Sequence, residues 1–588
     1  MLIRLLPLRL TIFEAVAASA VTGLLCSSWV MLLSVVLLGF RSGLPIAAGV
    51  VGIALLVGYR YRSLKIEPML WSKSWILVTV ASAVLFVNLH WTHDLLIRNG
   101  ALLSAGDTWG DIALHLTLAS NFASEGQFSW QFPLFHGAML TYPFLLDFTS
   151  AILHRLGWAW HGSFFVPALV LDLCIVQLIY GIAVRIAKRP LAGLIAVVLF
   201  LCGGSAAGWL FAWHTWQVNG FQFTFFSALP VDYSHLVLEN LQFTNIVTSE
   251  LLPQRAFGLG LATVLTCLLF FQSSTNKLAG RTVLFTSLLI GLLPFAHIQS
   301  WEVGVVLLGG ILVLQRNWRL LVYTLPGLVV ASAQLIWQIR HIAVGGFVHG
   351  YIGWMRLPQE SLLNFWWLNF GLLLPLMLVV GWRLVRSRDH FAQALALLGV
   401  GLFVLCNLAI LQPNPYDNIK LLLYWYLILC ILLADWFSCS RWMLPVMVAL
   451  CSTGMLSIAY DQQREYVEVS ASQVAWAAQV QRVVPEGGLI LTSQQHNNPV
   501  SMLSGRPIVF GYPGWLWTYG INSSQTASDV AKIYTAAPEA VPLLRSYGIQ
   551  YVEIGPLERE QYAVNEAFFQ RFPAAATSTE GSLYAVGM

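Results

Sequence analysis

The chain has 588 residues, 57% of them hydrophobic and only 10% charged, with a formal net charge of +4. An average soluble domain carries about 25% charged residues, so this composition excludes a soluble globular protein and describes a chain that crosses a membrane many times. With so small a net charge and no basic tract, no nucleic-acid partner is expected.

The start, "MLIRLLPLRL", has a basic first segment, but the apolar sequence after it is long and is followed by many more such runs. It reads as an uncleaved first span, not a removable signal. Apolar runs fall at about 11–40, 43–59, 71–89, 164–184, 190–212, 256–272, 282–300, 301–315, 320–340, 365–382, 391–411, 421–437 and 442–459, which makes thirteen candidate spans. The first is long enough to be tilted or broken, and several others fall short of the roughly 20 residues of a straight span. A further stretch, 139–157, contains Tyr142, Pro143 and Asp147 and reads as a re-entrant or interfacial helix. Counting it as a span would reverse everything downstream. The eight cysteines lie in or beside hydrophobic runs, without CxxC or Cys/His spacing, so neither a disulfide framework nor a zinc site is expected.

Basic residues orient this set. With the N-terminus in the cytoplasm, one side receives Arg4, Arg9, Arg60, Arg62, Lys65, Lys73, Arg185, Lys188 and Arg189. Lys277, Arg281, Arg316, Arg319, Arg383, Arg386, Arg388 and Arg441 follow them there. The other side receives scattered singles, among them Arg41, Arg98, Arg255, Arg340, Arg356 and Lys420. This is the positive-inside pattern of a plasma-membrane protein. It puts loops 90–163, 213–255, 341–364 and 412–420, with the tail 460–588, on the extracytoplasmic face. There is no Walker or GxGxxG pattern for a nucleotide.

Loop 90–163 holds "GDTWGDIALHLTLASNFASEG", residues 106–126. Asp107 suits the N-cap of a helix running to about Ser124. At 100° per residue, Asp107, Asp111 and His115 lie within roughly 80° of one another. Ile112, Leu116, Ala119 and Ala123 form an adjoining stripe. A cap, a dipole-matched Asp and an ordinary polar His would account for each residue singly. Three ionisable groups on one face at membrane level are costly and point to function. One carboxylate would deprotonate an acceptor hydroxyl. Alternatively, Asp107, Asp111 and His115 would hold Mg²⁺ or Mn²⁺ to neutralise a lipid phosphate, although three residues on one helix rarely complete a site.

Later outer junctions repeat the theme. "TSELLPQR" supplies Glu250 and Arg255, "FAHIQSWE" supplies His297 and Glu302, and "QPNPYDNIKLLLYW" supplies Asp417, Asn418 and Lys420. Each is singly explicable as a cap or anchor. Together they put polar groups at one depth, where Arg255 or Lys420 would hold a phosphate. Asp147 and Asp435 carry less information. Asp172 and Asp435 lie within predicted spans and are expected to pair with neighbours or line an internal cavity.

From Asp461 the composition changes. "VAWAAQVQRVVP", "DVAKIYTA", "PEAVPLLRSYG" and "EREQYAVNEAFFQRF" read as helices, and "GGLILTS", "RPIVFGY", "IQYVEIG" and "SLYAV" as strands. The expectation is a separate α/β domain, 460–588, with a largely parallel sheet, after a transmembrane domain spanning 1–459. Its aromatic loop "GYPGWLWTYG", 511–520, either stacks on sugar rings or packs Trp515, Trp517 and Tyr519 onto the membrane surface.

This layout resembles the GT-C superfamily of integral-membrane glycosyltransferases. "GDTWGDIALHL", then "EGQFSW", then "TYPFLLDFTSAIL" is similar in arrangement to the matching stretch of its bacterial members. The resemblance covers roughly residues 70–460 in outline and is anchored at 106–115 and Tyr142–Pro143. The sequence departs from the family in lacking adjacent acidic residues or DxD there, and the tail lacks a WWD-type motif. The resemblance implies an α-helical polytopic fold of about thirteen transmembrane helices with a C-terminal extracytoplasmic α/β domain. It also implies a polyprenyl-phosphate-linked sugar as donor, a glycan, lipid or protein as acceptor, and Asp107 or Asp111 as the base. A transporter or flippase of lipid-linked glycans is the alternative. It predicts polar residues deep in the bilayer and internal repeats. A non-catalytic scaffold would have no cavity behind the 106–115 helix.

Overall fold

The computed structural model describes residues 2–60, 65–67, 72–105, 108–274, 279–342, 347–387 and 389–587. Each of the thirteen apolar runs carries a helix, but their lengths are uneven. Among the described residues eight helices are long and apolar enough to cross a membrane, or nine if the pair Leu362–Asn369 and Leu373–Val385, bent by 85°, counts as one span. Pro190–Cys202 and Gly280–Gly291, with 13 and 12 residues, are too short to cross alone. The run 190–212 stops at Cys202 because the chain turns extended at Gly203 and restarts as a separate helix, Gly208–Val218.

The longest helix, Ile12–Arg60, has 49 residues, about 74 Å of helix, more than twice a hydrocarbon core. It doubles back at Gly39, whose φ of 70° is open to glycine and strained for other residues. Beyond the turn, a Cβ on Gly43 would lie 2.5 Å from the Ser34 carbonyl oxygen. Thr22 and Gly23 of one arm face Val51 and Ala54 of the other across an apolar cleft. The element is thus a helical hairpin whose two arms are the first two apolar runs.

The two ends of the bundle differ in chemistry. At one, Arg9–Leu10 pairs in parallel with Lys65–Ile66, and Arg185 meets Glu14 at 2.5 Å and the Arg9 carbonyl at 2.9 Å. At the other, beside the Gly39 turn, Phe40 donates to the Gly126 carbonyl, and the Gly126 N–H donates to Glu486 of the tail at 2.9 Å. The acidic motif therefore sits at the end opposite this basic cluster. The helix inside 139–157 is Leu145–Arg155, about 16 Å long, buried among its neighbours and too short to span.

The tail is α/β, but its sheet departs from expectation. The strand order is Ala574–Ser578, Gly581–Ala585, Tyr551–Ile554, Ile490–Leu491, and only the last pair is parallel. A tight turn after Ser578 makes the final two strands a hairpin, and that forces antiparallel pairing. Its first strand, "AAATS", carries no apolar alternation to announce it. "RPIVFGY" is not a regular strand. Ile508 and Gly511 donate to the Pro133 and Leu134 carbonyls at 2.9 and 2.8 Å, so this segment is shared with the 90–163 loop. "EREQYAVNEAFFQRF" breaks into Pro556–Gln561 and Glu566–Phe569, the second capped by Asn565.

Nor does the tail stand apart. Its first strand, Tyr466–Val469, joins Leu96–Arg98 and Ala101–Ser104 of the loop in a three-stranded antiparallel sheet. Trp476, Ile490 and Phe510 belong to the same continuous core as the helices. Gly505, at φ +65°, lies against the motif helix so closely that a Cβ would fall 2.2 Å from the Ser124 hydroxyl. Its carbonyl accepts from Ser124 at 2.7 Å and from Asn121 at 3.2 Å.

Within the joining sheet, Glu468 accepts from the Ser104 hydroxyl at 2.6 Å, while its other oxygen is buried without a partner. Burial pushes this carboxyl up to about 8. Because the folded value is raised, its contribution to stability is full below about pH 4.5, declines as pH rises, and is gone above about 8. Glu468→Gln is therefore expected to flatten the fall in melting temperature between pH 5 and 8. Equal slopes in parent and variant would refute this.

Candidate active site

The motif helix begins at Trp109 and runs to Ser124, one residue later than an Asp107 cap would start it. Thr108 precedes it, but its hydroxyl is spent on the chain before it, donating to the His93 carbonyl and accepting from Ala105 N–H, both at 3.1 Å. Asp107 lies outside the described residues. The apolar stripe is wider than the sequence suggests. Every residue from Ile112 to Phe122 is buried, because the tail covers the face that the sequence leaves to solvent.

Two polar layers meet on this helix. In the deeper one His115, fully buried, places Nδ1 2.9 Å from Asp147 Oδ2. Arg255 donates to the other oxygen of Asp147 at 2.9 Å and to the Ser150 hydroxyl at 2.8 Å, and its guanidinium lies 4.0 Å over the Phe164 ring. A charge at this depth is costly unless paired, and the pairing consumes both oxygens of Asp147. Arg255 is thus committed to the protein interior and is not presented to a phosphate. Asp147, uninformative in the sequence, is the hub of this layer. His115 Nε2 is buried with no partner among the described residues.

The nearer layer is a line of four side chains. Asp111 Oδ1 accepts from Gln254 Nε2 at 2.8 Å, and Gln254 Oε1 accepts from Lys420 Nζ at 3.4 Å. Lys420 stands 3.3 Å from Asp417. A lysine only donates and a carboxylate only accepts, so the amide orientation of Gln254 is determined by its neighbours. Glu250 stands behind them on a single π turn, Val247–Leu251, with one carboxylate oxygen buried and unpartnered. Burial pushes Glu250 up to about 8, opposed by the charge of Lys420. Burial also raises Asp111 above the usual carboxylate range, with His115 and Lys420 pulling the other way.

This line borders a cavity of about 340 Å³. Gln254, Asp417 and Lys420 line one part of its wall, and His297, Gln299 and Glu302 another. Tyr142 of the loop and Thr518 and Tyr519 of the tail line it as well. Of the aromatic loop, Tyr519 packs against Tyr142 with ring centres 5.1 Å apart, Trp515 is buried against Tyr512, and Trp517 is exposed. The structure thus puts Asp417, Lys420, His297 and Glu302 on one cavity, with Asp111 and Glu250 behind its wall and Asp111 joined to it through Gln254. It directs His115 and Arg255 inward.

Elsewhere, Asp172 bonds His90 Nε2 at 2.7 Å, and His90 Nδ1 meets Asp94 at 2.7 Å, a pairing between two spans. Asp435 is partly exposed and stands 4.0 Å from Arg383, its expected kind of pairing. Among the described residues no group of three His, Cys, Asp or Glu side chains has metal-site geometry. Gln254, Gln299 and Asp147 are positions of this candidate site that sequence reasoning missed. For Asp147 a signal was present, since a carboxylate in an apolar helix needs a partner. The two glutamines carry no such mark.

No family model and no curated protein matches the sequence. Among solved structures, the apo oligosaccharyltransferase of Archaeoglobus fulgidus aligns with a TM-score of 0.50 at 11% identity, covering 82% of this chain and 70% of that one. ArnT from Cupriavidus metallidurans bound to undecaprenyl phosphate aligns at 0.42 and 11% identity, over 88% and 98% of the two chains. The chain thus shares the fold of that oligosaccharyltransferase in outline, polytopic and α-helical, and carries a C-terminal α/β region.

Proposed function

We propose that this chain is an integral-membrane glycosyltransferase that moves a sugar from a polyprenyl-phosphate donor to a glycan, lipid or protein acceptor at the extracytoplasmic face of the plasma membrane. One observation carries the reading. The line Asp111–Gln254–Lys420 joins a carboxylate with raised proton affinity to a cation on the wall of a cavity at the motif end of the bundle. The fold, shared with an oligosaccharyltransferase, supports it. Basic residues gathered at the opposite end support a cytoplasmic N-terminus and an outward-facing tail.

In this mechanism an acceptor hydroxyl attacks the anomeric carbon while Asp111 takes its proton. The bond from the anomeric carbon to the phosphate oxygen breaks, and its electron pair leaves with the polyprenyl phosphate. Lys420 meets the charge on that oxygen. A single displacement inverts the anomeric centre. Asp107, Asp111 and His115 are the residues the sequence offers to a Mg²⁺ or Mn²⁺ ion, which would neutralise phosphate charge, but among the described residues no such ligand group is formed, and no step is routed through a metal.

The test is mass spectrometry of envelope glycans from a deletion strain and its parent. One sugar missing from one glycan class is the expected result. An unchanged glycan profile with a redistributed lipid carrier would overturn the reading in favour of transport.

A further inference from the structure

Resting on the reading above, we infer that the turn His297–Glu302 is the saccharide subsite of the cavity, built to hold the sugar ring of the donor by its hydroxyl rim. Lys420 answers the phosphate but offers nothing to distinguish one sugar from another.

Three side chains of this turn line the cavity and have hydrogen-bonding capacity unspent within the protein. His297 is the N-cap of the helix Ile298–Gln315. Its Nδ1 accepts from the Ser300 N–H at 3.2 Å. In the neutral ring that assigns the proton to Nε2, leaving an N–H donor that is buried and unpartnered. Nδ1 also lies 2.7 Å from the Ser300 hydroxyl, which in turn lies 2.6 Å from Tyr424 OH, so the ring is locked. Gln299 is only 5% exposed, and among the described residues no group bonds its side-chain amide. Its amide opens on the cavity wall, where the hydroxyls of a bound ring would supply the partners that the protein does not. Glu302, three residues on and so on the same helical face, adds a carboxyl group without an ion-pair partner among the described residues.

The amide of Gln299 and the carboxyl of Glu302 on one helical face, with His297 at the head of the same turn, complement a ring bearing adjacent hydroxyls. The remaining wall suits the apolar faces of such a ring, because Tyr142, Phe347 and Tyr519 stand around the same space. At about 340 Å³ the cavity has room for roughly one or two sugar rings, not for a long glycan. The alternative for each group is solvation by water in the cavity. That alternative predicts no preference for one sugar over another, and the experiment separates the two.

The experiment uses the full chain in lipid nanodiscs and three kinds of probe. These are neryl phosphate, its phosphodiester glycosides of glucose, mannose, galactose, N-acetylglucosamine and arabinose, and the methyl glycosides of the same sugars. At least one neryl-phosphate glycoside should bind about tenfold more tightly than neryl phosphate itself. Glu302→Gln and Gln299→Leu should each return that glycoside to within about threefold of neryl phosphate, and leave neryl phosphate binding unchanged. The inference is overturned if no glycoside exceeds the bare phosphate, if the advantage survives both substitutions, or if both probes weaken together. Absence of neryl phosphate binding, with Lys420→Met without effect, sinks the carrier reading instead. The subsite is then decided by whether Glu302→Gln abolishes methyl glycoside binding.

Discussion

Arg255→Met is expected to destabilise the folded protein by about 3–5 kcal/mol, the largest single effect foreseen outside the chemistry itself. The guanidinium and the Asp147 carboxylate are 1% and 2% exposed and 2.9 Å apart. Removing the arginine leaves a carboxylate at membrane depth with only His115 to answer it. Ser150 loses a donor and the Phe164 ring loses its cation at the same time. The midpoint of thermal unfolding in detergent should fall by several degrees. Adding Asp147→Asn should recover part of the loss, because the orphaned charge is then gone. A midpoint within about a degree of the parent would show that Arg255 is free for other work, including the phosphate contact that the sequence suggested.

Asp111→Asn should lower transfer by about 10²–10⁴-fold while leaving the fold intact. An asparagine keeps the oxygen that accepts from Gln254 Nε2, so the line to Lys420 survives, but it cannot take a proton. Binding of neryl phosphate should change little. Burial holds the Asp111 proton above the ordinary carboxylate range, so the parent rate should rise with pH as that proton is lost. The substituted protein should lose that limb of the profile. Full transfer activity in both Asp111→Asn and Asp107→Asn, with normal membrane insertion, would remove the proton-transfer role from this motif altogether.

What could be read beforehand divides by the range of the interaction. Composition and the alternation of basic with non-basic loops are local or additive properties, and they foretell the helices, the hairpin at the start and the non-spanning 139–157 stretch. The acidic motif is visible for the same reason: residues four apart on one helix are neighbours by geometry alone. The partners of that motif are not. Asp111 meets Gln254 across 143 positions, His115 meets Asp147 across 32, and Lys420 meets Gln254 across 166. No periodicity encodes such a pair, and a glutamine in a membrane chain carries no charge to draw notice.

The tail repeats this lesson. Its helices with clear apolar spacing were legible. Its sheet was mistaken because strand direction depends on which strands pair, and the hairpin that settles the matter carries no alternating pattern. By itself the sequence determined that the chain lies in a membrane, where its polar ends fall and that Asp111 and His115 share a helix. Hydrophobic burial and helix periodicity act over a few residues and need no fold to be read. Only the tertiary structure decided that Lys420 borders the cavity while Arg255 is sealed inside. Both are cations at the head of a span, and what separates them is the buried carboxylate of Asp147, which one of them had to neutralise.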